Sequence, residues 1–190
     1  MSDIRTYTHS KRGEAPAPGP PPSISRDAYL EWTPVRLADP RGATVEQLIH
    51  GLELIVEAEG PVMASRAFTI FAKAGGLGRI YEPTRKRFVL ALKDALRKGV
   101  FLSEPEAAED PGTWILRPPA RQAVHVRALG SRTLHEVPAL ELAEIMLEIR
   151  VRNELISKEE LFRQVLEGYG LIRLTAATTD RLDYVLATWF

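Results

Sequence analysis

The chain contains no cysteine. That excludes disulfides, a thiolate nucleophile and any cysteine-ligated zinc. It also lacks an excess of charge of either sign, because 25 lysines and arginines face 25 aspartates and glutamates. The molecule as a whole is therefore not the strongly basic body typical of a dedicated nucleic-acid binder. Histidine is scarce: His9, His50, His125 and His135 lie in unrelated places, without the H-E-x-x-H spacing of a helical zinc site. No apolar run approaches the roughly 18–20 residues of a membrane span, and the N-terminus has no apolar stretch like that of a signal peptide. A soluble, cytoplasmic protein is the default expectation. There is no G-x-x-x-x-G-K-[ST] phosphate loop and no assignable Ser/His/Asp constellation, so the expectation is a non-enzymatic chain with no catalytic residue, metal or cofactor.

What is present divides the 190 residues into five stretches. Residues 1–26, including "GEAPAPGPPPS", are too rich in proline and polar residues to bury a core and read as a disordered, partly polyproline-II tail. Residues 27–43 carry Tyr29, Leu30, Trp32, Val35 and Leu37 and read as an extended lead-in packed on the body.

From Thr44 the pattern turns helical. Leu48, Leu52, Ile55 and Val56 share one face, with Thr44 as N-cap and Gly60-Pro61 as the stop. A second helix is expected over 64–74, burying Ala67, Phe68 and Phe71 and ended by Gly75-Gly76. A third begins near Pro83, an allowed first-turn proline, with Phe88, Ala91, Leu92, Ala95 and Leu96 inward. Two short β-prone runs, "GVFLSE" and "TWILRPP", then flank an acidic tip from about Pro105 to Gly112 and predict a hairpin. Three helices followed by a hairpin is the winged-helix arrangement, a helix-turn-helix variant. Four-helix and purely helical arrangements are also compatible with this pattern.

The chain repeats itself. A shift of 94 residues aligns Ile55–Leu96 with Ile149–Phe190 without a gap. Phe68 meets Phe162, Gly76 meets Gly170, Leu77 meets Leu171, Arg79 meets Arg173 and Arg87 meets Arg181. Such a fixed offset signals a duplicated unit. The expected architecture is mainly α with a small β-hairpin: a winged-helix repeat over 44–118, a linker over 119–138, and a winged-helix-like repeat over 139–190 that lacks its wing.

These phrases carry a family resemblance. "IVEAEGPV" (55–62), the glycine, leucine and arginine after it, a long helix and "GTWILRPP" (112–119) resemble a tandem helix-turn-helix domain of unknown function. That domain lies near the C-terminus of large bacterial superfamily-1 helicases. "VRALGSRTLHEVPALELAEIML" (126–147) and "NELISKEELFRQVLEGYGLIRL" (153–174) are similar to its second half, so the resemblance spans Tyr29 to Phe190. It implies an accessory or regulatory protein working beside ATPase and nuclease domains on DNA or RNA. It transfers no catalytic residue.

Local charge sharpens the functional expectation. Between Gly60 and Val100, nine cations stand against Glu82 and Asp94, a local formal charge of +7. A helix-turn-helix offers the N-terminal part of its recognition helix to the major groove. That places Thr84, Arg85 and Lys86 at base edges, with Arg79, Lys93, Arg97 and Lys98 at phosphates. A solvated face whose cations offset acidic surfaces elsewhere fits the same pattern, and Arg79 and Arg87 recur in the second copy, as structural residues would.

The second copy has a formal charge of −2 over Glu154–Phe190 and carries Thr179 and Asp180 where the first has Arg85 and Lys86. It suits contact with protein, either the first domain or another subunit (a partner or a second copy of the chain), with Trp189 and Phe190 as anchors. Core packing is the other use for that pair. "GGLG" reads as a helix C-cap and turn, and the carboxylate runs Glu57–Glu59 and Glu106–Asp110 read as solvated faces. His125 and His135 flank a basic linker and read as surface histidines. A protein–protein adaptor within a larger DNA-processing complex is the alternative to nucleic-acid binding.

Overall fold

Thr44 starts the first helix through both halves of a capping box: its hydroxyl accepts from the Gln47 N–H, and its own N–H donates to Gln47 Oε1 at 2.9 Å. In the computed structural model, which describes residues 26–104, 106, 109–121 and 126–190, that helix is α1 (Val45–Glu59), ended at Gly60-Pro61. A two-residue strand β1 (Val62–Met63) leads into α2 (Ala64–Ala74). Helix α3 (Glu82–Arg97) follows with Pro83 in its first turn. Strands β2 (Leu102–Glu104) and β3 (Ile115–Arg117) form the hairpin, and α4 (Ala139–Arg152), α5 (Lys158–Gly168) and α6 (Ala176–Trp189) complete the chain. The tail expected over 1–26 lies, apart from Arg26, outside the described residues, as do His9 and His125.

The fold is mainly helical with one small antiparallel sheet. The sheet order is β1-β3-β2, with Val62 opposite Leu116 and Ser103 opposite Leu116 on the other side. The hairpin was expected; β1 was not, because two residues are too few to show a period of two. The lead-in is extended as expected, with Tyr29 and Trp32 buried, but Leu30 and Val35 point to solvent.

Each helix triplet closes its own core. In the first, Phe68 stacks on Phe88 at 4.9 Å between centroids, and Phe71 meets Phe88 edge-on. In the second, Phe162, Leu182 and Val185 pack beneath Leu142 and Met146. The three helices of one triplet begin at 45, 64 and 82, and those of the other at 139, 158 and 176, each pair 94 residues apart.

Two of the recurring residues serve the same purpose in both copies. Gly76 and Gly170 take φ of 85° and 71°, the left-handed conformation glycine adopts without strain. Each lets the next leucine N–H turn back to the helix, Leu77 to Ala72 O at 2.8 Å and Leu171 to Leu166 O at 2.9 Å. Arg87 donates to Ala43 O, and Arg181 donates to Val137 O at 2.6 Å. Both carbonyls lie two residues before the first helix of their triplet, so this arginine ties third helix to first helix.

The triplets are joined by buried charge. Glu59, expected on a solvated face, is 2% exposed. It falls on α1's apolar stripe and accepts from Tyr29 Oη at 2.6 Å, Trp32 N at 3.1 Å and Arg66 Nε at 2.8 Å. The linker's Arg127 donates to the Glu59 and Pro61 carbonyls and pairs with Glu141 of α4. Arg132 grips Glu141 in bidentate fashion at 2.9 and 3.0 Å. The Tyr29 ring lies under the Arg66, Arg127 and Arg132 guanidiniums, the nearest at 4.2 Å. Burial, reinforced by the hydrogen bond to Glu59, pushes the Tyr29 hydroxyl well above the usual phenol range.

Glu141→Ala removes the shared counter-ion of two buried arginines and should cost about 3–5 kcal/mol. Glu154→Ala, an exposed control, should shift stability by less than about 0.5 kcal/mol. Urea unfolding of both variants checks this. Equal midpoints would show that the network contributes no stability.

Candidate nucleic-acid interface

Helix α3 lies on the first core through Phe88, Ala91, Leu92 and Ala95, all fully buried. That orientation leaves an outward stripe of Lys86, Leu90, Lys93 and Arg97, spaced as one face of a helix and exposed with the second triplet in place. The Gly76 turn and the half-buried Leu77 and Ile80 set the entry to α3, leaving Arg79 and Tyr81 outside. The Arg79 guanidinium sits 5.4 Å from the Tyr81 ring centroid.

The seven candidate residues separate into three groups. Thr84 is 6% exposed and faces inward, so it leaves the candidate set: a side chain in the helix–core contact cannot reach a base edge. Arg85, Arg97 and Lys98 are at the surface but already engaged. Arg85 pairs with Asp110 at the hairpin tip, and Arg97 and Lys98 both pair with Asp94. Hydrogen bonds from Lys98 and Arg97 hold the Asp94 carboxyl below its usual range. Arg79, Lys86 and Lys93 are exposed and form no ion pair among the described residues. Lys73, in the last turn of α2, is a fourth such cation. It stood in the sequence count of local charge, but nothing marked it as differing from Arg66 and Arg87, which the fold consumes. Among the described residues, the +7 stretch thus offers four exposed cations without an ion pair.

At the hairpin tip Glu109 and Asp110 are exposed, as expected, while Glu106 is not solvated. Asp110 accepts from the Gly112 N–H at 2.8 Å and holds Arg85, while Glu106 pairs with Arg181 of α6 at 2.7 Å.

Helix α6 carries Asp180, Tyr184 and Ala187 at the positions equivalent to Lys86, Leu90 and Lys93, and these are exposed as well. The Tyr184 hydroxyl donates to the Glu106 carbonyl. A cavity of about 370 Å³ lies between Met63 and Thr113 on one side and Asp180, Arg181 and Tyr184 on the other. A second, also about 370 Å³, is bounded by Glu104 and Ile115 of the hairpin and by Thr188 and Trp189. Of the two expected interface anchors, Trp189 borders this internal cavity and is 47% exposed. Phe190, at 50%, lies beneath the Arg150 guanidinium. The position that is Lys86 in α3 is Asp180 in α6, exposed at the rim of the first of these cavities.

No protein-family model, curated protein or solved structure matches this chain. The functional reading therefore rests on α3 and its surroundings.

Asp110→Asn should release Arg85 without unfolding the hairpin, since exposed ion pairs contribute only about 0–1 kcal/mol. The variant should elute later than the parent from a heparin column, and Asp110→Asn/Arg85→Gln should not. Identical elution of all three would show that Arg85 does not join the exposed basic stripe.

Proposed function

We propose that the chain is a non-enzymatic, tandem winged-helix protein that binds nucleic acid, DNA foremost, through α3. The observation that carries this reading is the pair Lys86 and Lys93, on the outward face of a third helix and without counter-ions among the described residues. Strand β1 between the first two helices, and the order β1-β3-β2, support a winged helix, with the hairpin as its wing. In such a domain the third helix enters the major groove and flanking cations meet phosphates. The resemblance of residues 29–190 to the helicase-associated module supports an accessory or regulatory role in the cytoplasm, at the nucleoid.

A specific observation supports the adaptor alternative. Leu155 and Ile172 of the second triplet are 94% and 96% exposed, and Leu174 lies beside Ile172. Exposed apolar side chains of this kind suit a protein partner better than a phosphate backbone. On either reading the second triplet is not the nucleic-acid contact, because α6 carries Asp180 where α3 carries Lys86.

Fluorescence anisotropy with a labelled duplex tests the proposal. Affinity should fall linearly on a log–log plot against salt, at about 0.9 per neutralised phosphate. Lys86→Glu/Lys93→Glu should weaken binding at least tenfold and lower that slope by about 2. Absence of binding by the parent, or binding unchanged by the substitutions, would overturn it. A matched RNA duplex run in parallel assigns the nucleic acid.

A further inference from the structure

Helix α3 has two flanks, and its own arginines show what lies on each. Residues 85 and 87 are about 200° apart around a helix of 3.6 residues per turn, so the groups they hold lie on opposite sides of α3. Arg85 holds Asp110 of the hairpin tip. Arg87 donates to the Pro40 and Ala43 carbonyls, so the lead-in runs along the other side.

On that side the lead-in is built into the turn between α2 and α3. The N–H groups of Gly75, Gly76 and Leu77 donate to the carbonyls of Phe71, Lys73 and Ala72. The Leu37 N–H donates to Ala74 O at 3.3 Å, the one carbonyl of the last four in α2 that the turn itself leaves open. A Cβ on Gly75 would come within 2.6 Å of Ala38 O and 2.8 Å of Pro40 Cδ, so the two segments touch. This seam sets Arg36, one residue before Leu37, beside Lys73, one residue before Ala74. Both side chains are exposed, and neither forms an ion pair among the described residues. Arg79 stands exposed on the same turn.

The two flanks differ in charge. The hairpin side presents Glu109 and Asp110, both exposed. On the lead-in side, near the N-terminal end of α3, Arg36, Arg41, Lys73 and Arg79 face the carboxylates of Asp39 and Glu82. Asp39 is taken up by Arg41, whose hydrogen bonds pull its carboxyl down to about 2. Glu82 is exposed in the first turn of α3. Two further carboxylates, Glu46 and Asp94, lie with Lys98 toward the other end of the helix.

We propose that Arg36 and Lys73 form a second phosphate-binding position, through which the lead-in and the end of α2 hold the backbone of a duplex whose groove receives α3. The Arg36 guanidinium offers paired N–H donors to the non-bridging oxygens of a phosphate, and the Lys73 ammonium adds a point charge beside it. A helix-turn-helix offers the N-terminal end of its third helix to the groove. The phosphates beside that end meet unpaired cations on the lead-in side and carboxylates on the hairpin side. The backbone is therefore held from the lead-in side, and the hairpin tip makes no phosphate contact. This inference rests on the nucleic-acid reading of α3 and adds to it the side of the helix that carries the backbone. Arg36 escapes a reading by spacing, because it lies in an extended segment far from Lys73 along the chain.

A salt titration of duplex affinity, with the full chain and two labelled duplexes of unrelated sequence, tests it. Arg36→Gln/Lys73→Gln should lower the slope of log affinity against log salt by about 2, and by the same amount on both duplexes, because two phosphate contacts are lost. Arg163→Gln/Arg173→Gln removes two cations from the second triplet and should keep the parent's slope. All four side chains are exposed, and circular dichroism melts matching the parent confirm folding. A slope unchanged by Arg36→Gln/Lys73→Gln, or lowered equally by the pair in the second triplet, overturns this inference and leaves the α3 reading to Lys86→Glu/Lys93→Glu. A parent that binds neither duplex overturns both.

Discussion

The pair of buried carboxylates, Glu59 and Glu141, is the constraint on which the arrangement depends. Each is 2% exposed. Between them they engage three guanidiniums, Arg66, Arg127 and Arg132, which also find backbone carbonyls at Glu59, Pro61, Ala128 and Leu129. Taking five charges out of water is expensive, and well-packed apolar residues often serve stability as well. What ionic contacts add is directionality. A guanidinium accepts few orientations of its partner, so Glu59 on α1 and Glu141 on α4 fix the second triplet against the first. Tyr29 completes the joint, because its ring supports all three arginines while its hydroxyl binds Glu59. The lead-in segment is thus part of the hinge between the triplets.

The duplicated skeleton carries different charge in its two copies. Both copies keep the glycine turn and the arginine that reaches the residues before their first helix, because both need a third helix seated the same way. They differ on the outward stripe of that helix. In α6, Tyr184 and Arg181 bind Glu106 at the hairpin tip, and Asp180 stands where α3 has Lys86. In α3 the stripe meets water and can carry cations at little cost.

The helices could be read directly from the sequence. Thr44 with Gln47, Gly60-Pro61, Pro83 and Gly75-Gly76 are local signals whose physics lies within four residues, and the 94-residue repeat placed the second triplet. Burial of Phe68, Phe71, Phe88 and Ala91 followed from spacing alone. The pairing of charges did not. Arg85 with Asp110, Glu106 with Arg181, and Glu59 with Tyr29 are separated by 25, 75 and 30 residues, and no periodicity connects them. Glu59 did leave one trace, since it continues the spacing of Leu52, Ile55 and Val56 on α1's inward face. A carboxylate on such a stripe asks for a buried counter-ion, and the linker arginines were the available supply. Thr84 was misplaced for a related reason: the first turn of α3 turns inward one residue before its cations turn outward.

The chemistry of the unengaged cations narrows what the proposed interface reads. The arginines best suited to bidentate contact with a guanine edge are Arg85 and Arg97, and both are held by carboxylates of the chain itself. Engaging either with a base requires Asp110 or Asp94 to give it up, so part of any new bond replaces an old one. Lys73, Lys86 and Lys93 have no such partner to lose among the described residues, but an ammonium is a point charge without a planar fork. Arg79 is stacked beside Tyr81. A surface with free lysines and restrained arginines favours the phosphate backbone over base edges, which gives salt-dependent affinity with little sequence preference. Leu90, exposed in the centre of the stripe, gives a phosphate nothing to bind, yet it is the natural centre of a protein contact ringed by Lys86 and Lys93. The same helix is therefore chemically suited to two partners, and its mixture of lysines with one leucine makes it a better discriminator between partner classes than between DNA sequences.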